Sequence, residues 1–162
     1  MSRKESFAAE AADRLKERGL TLATAESCTG GLVAKKITDL AGVSEIFSGG
    51  VVSYANSVKE KILGVRAETL EKYGAVSEET AGEMCKGVRK ALGTDIGVST
   101  TGIAGPTGGS DEKPVGTVCF GISTGDKTLT YTKYFGETLS RKEIREKASE
   151  FALGLVVFVC TE

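Results

Sequence analysis

The sequence predicts an α/β fold: a three-layer sandwich formed as a single domain over residues 1–162, with a mixed sheet carrying helices on both faces. Three observations lead there. Short β-prone runs alternate with stretches of helical apolar spacing, which places crossover helices between parallel strands. Glycine-rich loops, at residues 25–31 and 99–109, follow two of those runs. Loops at the carboxyl ends of parallel strands are where such sheets bind ligands. The turn Thr124-Gly125-Asp126-Lys127 joins two further β-prone runs as a hairpin, so the sheet ends in an antiparallel edge.

Each element follows from local signals. Over residues 5–18, Phe7, Ala8, Ala11, Ala12 and Leu15 repeat at helical spacing, and Gly19 stops the helix. Residues 21–25 form a strand ended by the polar cluster Glu26-Ser27-Cys28-Thr29-Gly30-Gly31. Leu32, Val33, Ile37 and Leu40 supply one face of a second helix that stops near Gly42. The run 46–54 reads as a strand whose glycine pair marks a bulge. Asn56 caps a short helix through Leu63, and helical character continues over residues 66–72. Ser77 opens the next helix: its hydroxyl serves the free amides of the first turn, and Glu78 and Glu79 favour the positive end of the dipole. That helix ends near Gly93, residues 95–100 form a strand, and the long loop 101–114 leads to strands at 115–123 and 128–134. Ser140 and Glu143 have capping-box spacing. Ile144, Ala148, Phe151, Ala152, Leu155 and Val159 then mark the buried face of a closing helix.

Composition narrows the function. With 40% apolar and 27% charged residues, the chain is globular. A net charge of -1 with the signs interspersed gives no basic field for nucleic acid or an anionic membrane. No apolar run approaches the roughly 18–20 residues of a membrane span, and the charged amphipathic start is not a signal peptide. The four scattered cysteines, Cys28, Cys85, Cys119 and Cys160, read as reduced thiols, so the expected compartment is the cytoplasm. The chain contains 0 histidines, which excludes Ser-His-Asp triads, Cys-His dyads and His-ligated metals. No metal and no cofactor are expected.

Four places can carry chemistry. At residues 25–31, a strand-to-helix turn offers free amides and a dipole to an anion, and Gly30 and Gly31 let a ligand approach the backbone. Ser27 there suits a nucleophile with oxyanion donors beside it, or serves with Thr29 only as a cap. Cys28 is a second nucleophile or a small buried apolar residue. The loop 99–109, with Ser99, Gly102, Ala104, Gly105 and Gly108, is a ligand loop or a glycine-rich surface turn. Its spacing matches neither the dinucleotide fingerprint nor the P-loop. On the helix after Tyr54, Ala55, Val58, Lys59, Ile62 and Leu63 share one face, which presses Lys59 toward the core. There Lys59 is either a base with a depressed pKa or a snorkelling side chain. Arg141 and Arg145, one turn apart, either hold phosphate or carboxylate or belong to a solvated charged face. Without histidine, a hydrolase built from these parts uses Ser27 as nucleophile, Lys59 as base and loop amides as oxyanion hole.

Five stretches occur in order: AESCTGG at 25–31, GGVVSYANSVKEKILGV at 49–65, GAVSEETA at 74–81, STTGIAGPTGG at 99–109 and KPVGTV at 113–118. Together they closely resemble the CinA C-terminal domain family, whose members include stand-alone nicotinamide-nucleotide amidohydrolases. The resemblance covers almost the whole chain. It implies metal-independent hydrolysis of nicotinamide mononucleotide to nicotinic acid mononucleotide and ammonia. It places the family's serine on Ser27, its tyrosine on Tyr54 and its helix lysine on Lys59, with Tyr54 orienting them or protonating the leaving amine. Thr29, Gly30, Gly31, Ser99, Gly102, Ala104, Gly105, Gly108, Arg141 and Arg145 are then the expected substrate contacts. The resemblance also implies a homodimer or larger homo-oligomer. A non-catalytic small-nucleotide-binding module of the same fold is the alternative.

Overall fold

In the computed structural model, which describes residues 6–162, the chain runs α1 (Phe7–Arg18), β1 (Leu22–Glu26), α2 (Leu32–Thr38), β2 (Phe47–Val52), α3 (Asn56–Leu63), α4 (Ala67–Tyr73), α5 (Glu78–Leu92), β3 (Ile96–Gly102), β4 (Thr117–Ser123), β5 (Thr128–Tyr134) and α6 (Arg141–Thr161). The start of the first helix expected at residue 5, and the charged segment before it, lie outside the described residues. Local chemistry sets most boundaries. The Ser6 hydroxyl accepts from the Ala9 amide at 3.2 Å, and Gly19 ends α1 in the left-handed region. Ser77 caps α5, and Ser140 with Glu143 forms the expected capping box on α6.

The five strands lie in the order β2-β1-β3-β4-β5. β1 pairs parallel to β2 and to β3, whereas β4 runs antiparallel to both β3 and β5. The carboxyl ends of β1, β2 and β3 therefore share one edge, with Glu26 opposite Val52 on one side and Thr100 on the other. The predicted bulge is present: Leu22 pairs with Phe47 and Ala23 with Gly49, leaving Ser48 as the extra residue.

Helices α1, α2 and α6 cover one face of the sheet, and α3, α4 and α5 the other. Alternation along β1 feeds both layers: Leu22 enters the larger core with Val33, Phe120 and Ile144, while Ala23 and Ala25 join Leu63, Met84 and Val88. Helix α5 lies close on β3 and β4 because Gly97 and Gly121 carry no side chain. A Cβ at Gly97 would sit 2.2 Å from the Cys85 carbonyl oxygen, and one at Gly121 would sit 2.4 Å from that of Ala81.

Some boundaries differ from expectation. The helical run over 56–72 is two helices, broken where Gly64 takes φ 71°. Asn56 is the first residue of α3, and Ala55 occupies the cap position without a side-chain bond. Helix α2 ends at Thr38, and β4 begins at Thr117, after Gly116 at φ 95°. Phe151 is half-buried, its ring 4.5 Å from that of Phe120.

Candidate active site

The shared carboxyl edge of β1, β2 and β3 brings three loops together. Ser27 directly follows β1, and its amide still donates to the Thr100 carbonyl at 2.9 Å, so β3 holds the start of the turn in register. Ser53 and Tyr54 leave β2 and lead into α3, one turn along which stands Lys59. Gly102 ends β3 and opens the long loop.

Lys59 is 1% exposed, which excludes the snorkelling position. Its Nζ lies 3.0 Å from Ser27 Oγ, 2.7 Å from the Ser53 carbonyl oxygen and 3.4 Å from that of Tyr54. Removal from water drives its pKa below the ordinary lysine value. A neutral amine has two N–H bonds and one lone pair. In that form the two carbonyls would take the N–H bonds and the lone pair would face the Ser27 hydroxyl. The apolar face that delivers the amine is narrower than its spacing suggested: Leu63 is buried and Val58 half-buried, while Ala55 and Ile62 are exposed.

Ser27 and Lys59 line a recess of about 200 Å³, together with Cys28, Tyr54, Gly102, Ala104 and Arg141. Tyr54 is largely exposed, and its hydroxyl accepts from Arg141 Nη2 at 3.0 Å. Arg141 Nη1 donates to the Gly105 carbonyl at 2.8 Å, so one guanidinium ties the loop after β2 to the loop after β3. Asn56, Ala75, Val76 and Thr101 also line the recess and escaped the sequence reading. Asn56 passed as a cap, and nothing local marks Ala75 or Val76. Val76 borders in addition a wider groove of about 860 Å³ that includes Glu78, Lys113 and Thr130.

Other expected contacts lie elsewhere. Ser99 is fully buried and donates to the Ala81 carbonyl at 2.6 Å, because its position on β3 faces α5. Thr29 is buried as well: its hydroxyl lies 2.6 Å from Glu26 Oε1 and 2.7 Å from Thr100 Oγ1. Gly108 lies in the exposed part of its loop, outside the recess. Arg145 does not line the recess; its Nε donates to the Cys28 carbonyl at 3.1 Å and its Nη2 to that of Thr29 at 3.0 Å. Gly30, at φ 58°, leaves room for that guanidinium, since a Cβ there would stand 3.1 Å from Arg145 Nη2. Gly31 takes φ 100° as the cap residue of α2.

The expected anion site at the start of α2 is filled from within. Glu26 is 2% exposed, and its carboxylate accepts from the Val33 amide at 2.8 Å and the Ala34 amide at 3.1 Å. A buried carboxylate supplied by the preceding strand thus serves the helix amides and its dipole. The sequence reading missed Glu26 because it closes β1, well before the Gly31 cap position of α2, where no local signal ties it to the helix. The Cys28 thiol sits in the core, and burial pushes its pKa up to about 12, so it is held as an unreactive thiol. Among the described residues, no cluster of three or more potential metal ligands occurs, and no helix is long and apolar enough to cross a membrane.

Similarity to known proteins covers the whole of this arrangement. The family model described as CinA C-terminal domain matches residues 4–159. A CinA-like protein of Kosmotoga olearia is 56% identical over 142 residues, 88% of this chain and 34% of that protein. The chain therefore spans about a third of that relative's length. A protein of Enterobacter agglomerans named nicotinamide-nucleotide amidohydrolase PncC is 51% identical over 140 residues, 86% of this chain and 84% of its own. Among solved structures, the competence/damage inducible protein CihA from Agrobacterium tumefaciens superposes with TM-score 0.90 at 38% identity, covering 100% of both chains.

Proposed function

Because the chain belongs to the CinA C-terminal domain family, we propose that it hydrolyses the carboxamide of nicotinamide mononucleotide to nicotinic acid mononucleotide and ammonia, with Ser27 as nucleophile and Lys59 as general base. The observation that carries this reading is the buried amine of Lys59, bracketed by two carbonyls and 3.0 Å from Ser27 Oγ. The substrate is supported by the Enterobacter agglomerans relative, whose match spans most of both chains.

In this mechanism Ser27 Oγ attacks the carboxamide carbon while its proton passes to Lys59 Nζ. The carbonyl oxygen gains the negative charge. The amide of Cys28, a residue that lines the recess and whose N–H donates to no other residue among the described ones, is the nearest backbone candidate to receive it. The C–N bond then breaks, the Lys59 ammonium returns its proton to the leaving nitrogen, and ammonia departs. Water attacks the resulting ester with Lys59 again as base, releasing the carboxylic acid and restoring Ser27. Tyr54 uses its hydroxyl oxygen to accept from Arg141, which leaves its own proton free to orient the leaving amine by a hydrogen bond. The recess of about 200 Å³ is smaller than a typical ligand site of ~300–1,000 Å³, so it takes the pyridine ring and amide. Ribose and phosphate extend past Arg141 or toward the groove beside Val76.

The test is ammonia release from nicotinamide mononucleotide by the purified protein with a chelator present, alongside Ser27→Ala. Turnover in the wild type and none in the variant is expected. A folded wild type that binds the mononucleotide without releasing ammonia would overturn the reading in favour of a binding module.

A further inference from the structure

Arg145 lies on the first turns of α6, more than a hundred residues from the serine turn, yet its guanidinium grips two of that turn's carbonyls, Cys28 at 3.1 Å and Thr29 at 3.0 Å. It approaches from outside the recess. In a trans peptide the carbonyl and the N–H point in opposite directions. The plane whose Cys28 carbonyl faces Arg145 therefore aims the Thr29 N–H away from the guanidinium. The second carbonyl leads further. The Thr29 carbonyl shares its peptide group with the Gly30 N–H, which donates to the Ser27 carbonyl at 3.0 Å, and that carbonyl shares its group with the Cys28 N–H. One cation thus sits at the head of two linked paths, a short one ending on the buried Thr29 amide and a longer one ending on the Cys28 amide at the recess, and among the described residues neither amide donates to another residue. A cation on the carbonyl polarises a peptide group and strengthens its N–H as a donor, and linked bonds pass the effect along.

From this arrangement we propose that Arg145 is a positioning residue that fixes the serine turn and polarises the oxyanion-binding amide of Cys28. It does so without touching the substrate, and its action rests on the amidohydrolase reading above. Two features hold it in place: Lys36 of α2 bonds Glu146 and Glu150 of α6 at 2.7 Å each, and Gly30 leaves space for the guanidinium. The neighbouring Arg141 faces the recess, so the two arginines divide into one outside the turn and one at the cleft.

The experiment compares wild type, Arg145→Lys and Arg145→Met on nicotinamide mononucleotide and nicotinamide riboside, with folding checked by thermal melting. Arg145→Met should lower kcat about 10- to 100-fold, less than or equal to deletion of a whole oxyanion donor. The factor should be the same on both substrates, KM should stay within about threefold, and Arg145→Lys should recover part of the loss. A raised KM confined to the mononucleotide would overturn the proposal and make Arg145 a phosphate ligand; an unchanged kcat would overturn it outright. In parallel, the rate of Ser27 modification by a fluorophosphonate, whose attack also places an anionic oxygen in the turn, should fall by a comparable factor in Arg145→Met. That readout needs no amide substrate, so it judges Arg145 even if the wild type releases no ammonia. An equal modification rate in wild type and Arg145→Met would count against the proposal. If Arg145→Met does not fold, Arg145→Lys serves in both assays, because one ammonium cannot hold both carbonyls in the same fork.

Discussion

The two glycine-rich loops at the carboxyl edge of the sheet have similar composition and opposite construction. The turn after β1 is held on every side. Glu26 takes the amides of Val33 and Ala34, Thr29 bonds Glu26 and Thr100, and Arg145 holds two carbonyls. The loop after β3 is fixed mainly at its ends, where Ile103 pairs with Gly116 and Thr117 and Arg141 reaches the Gly105 carbonyl; residues 106–112 are exposed. Glycine content therefore does not locate reaction chemistry. On the proposed mechanism, immobilised peptide groups next to a buried amine do, because transition-state stabilisation needs donors already in place.

Substitutions in the two loops should diverge accordingly. The largest effect is expected from Ser27→Ala, a loss of at least about 10⁴-fold in kcat with melting temperature little changed. Lys59→Met should follow at about 10²–10⁴-fold, the usual contribution of a positioned base. The same lysine gives pH behaviour with a definite sign. Its pKa is depressed by burial, so kcat/KM should rise with pH through that lowered value and level off before the ordinary lysine range. Between those two values the unfolded chain binds a proton that the folded protein does not, so stability rises with pH. Melting curves of wild type and Lys59→Met should accordingly shift in the wild type's favour as pH is raised through that window; a constant difference would refute the buried neutral amine.

Glu26→Gln presents an amide N–H to one of the helix amides it serves and should cost about 1–3 kcal/mol of stability, with a fall in kcat. The matching change in the other loop, Glu112→Gln, alters an exposed side chain and should stay within about 0.5 kcal/mol by denaturant titration. Comparable losses from both would erase the distinction between the loops. The smallest functional effect is expected at Gly108, which takes φ 95°. An alanine there strains the backbone by about 1 kcal/mol and should move KM about twofold with kcat unchanged.

Features governed by neighbours in sequence were legible from it. Ser77, Ser140 and Glu143 cap helices as their spacing announces, the 124–127 turn closes a hairpin, and Lys59 faces inward because α3 turns that side to α5. Features set by distant parts of the chain were not. Ser99, Thr100 and Thr101 are consecutive and polar, yet Ser99 bonds Ala81, Thr100 meets Thr29 and Thr101 donates to Ala75. Period-two alternation predicts that they part company without saying which face meets a ligand. Arg145 likewise looked equivalent to Arg141 on a helix surface. Only the packing of α6 beside α2 turns one guanidinium to the serine turn and leaves the other at the cleft.

The four cysteines have a practical consequence. Each is buried, and loss of solvent raises every thiol pKa above the ordinary cysteine value, to about 12 for Cys28 and Cys85. Toward a maleimide at neutral pH, the native molecule should behave as a cysteine-free scaffold. A single cysteine introduced on the exposed loop, for example Thr107→Cys, would then take a fluorophore at one position, with no background to engineer away.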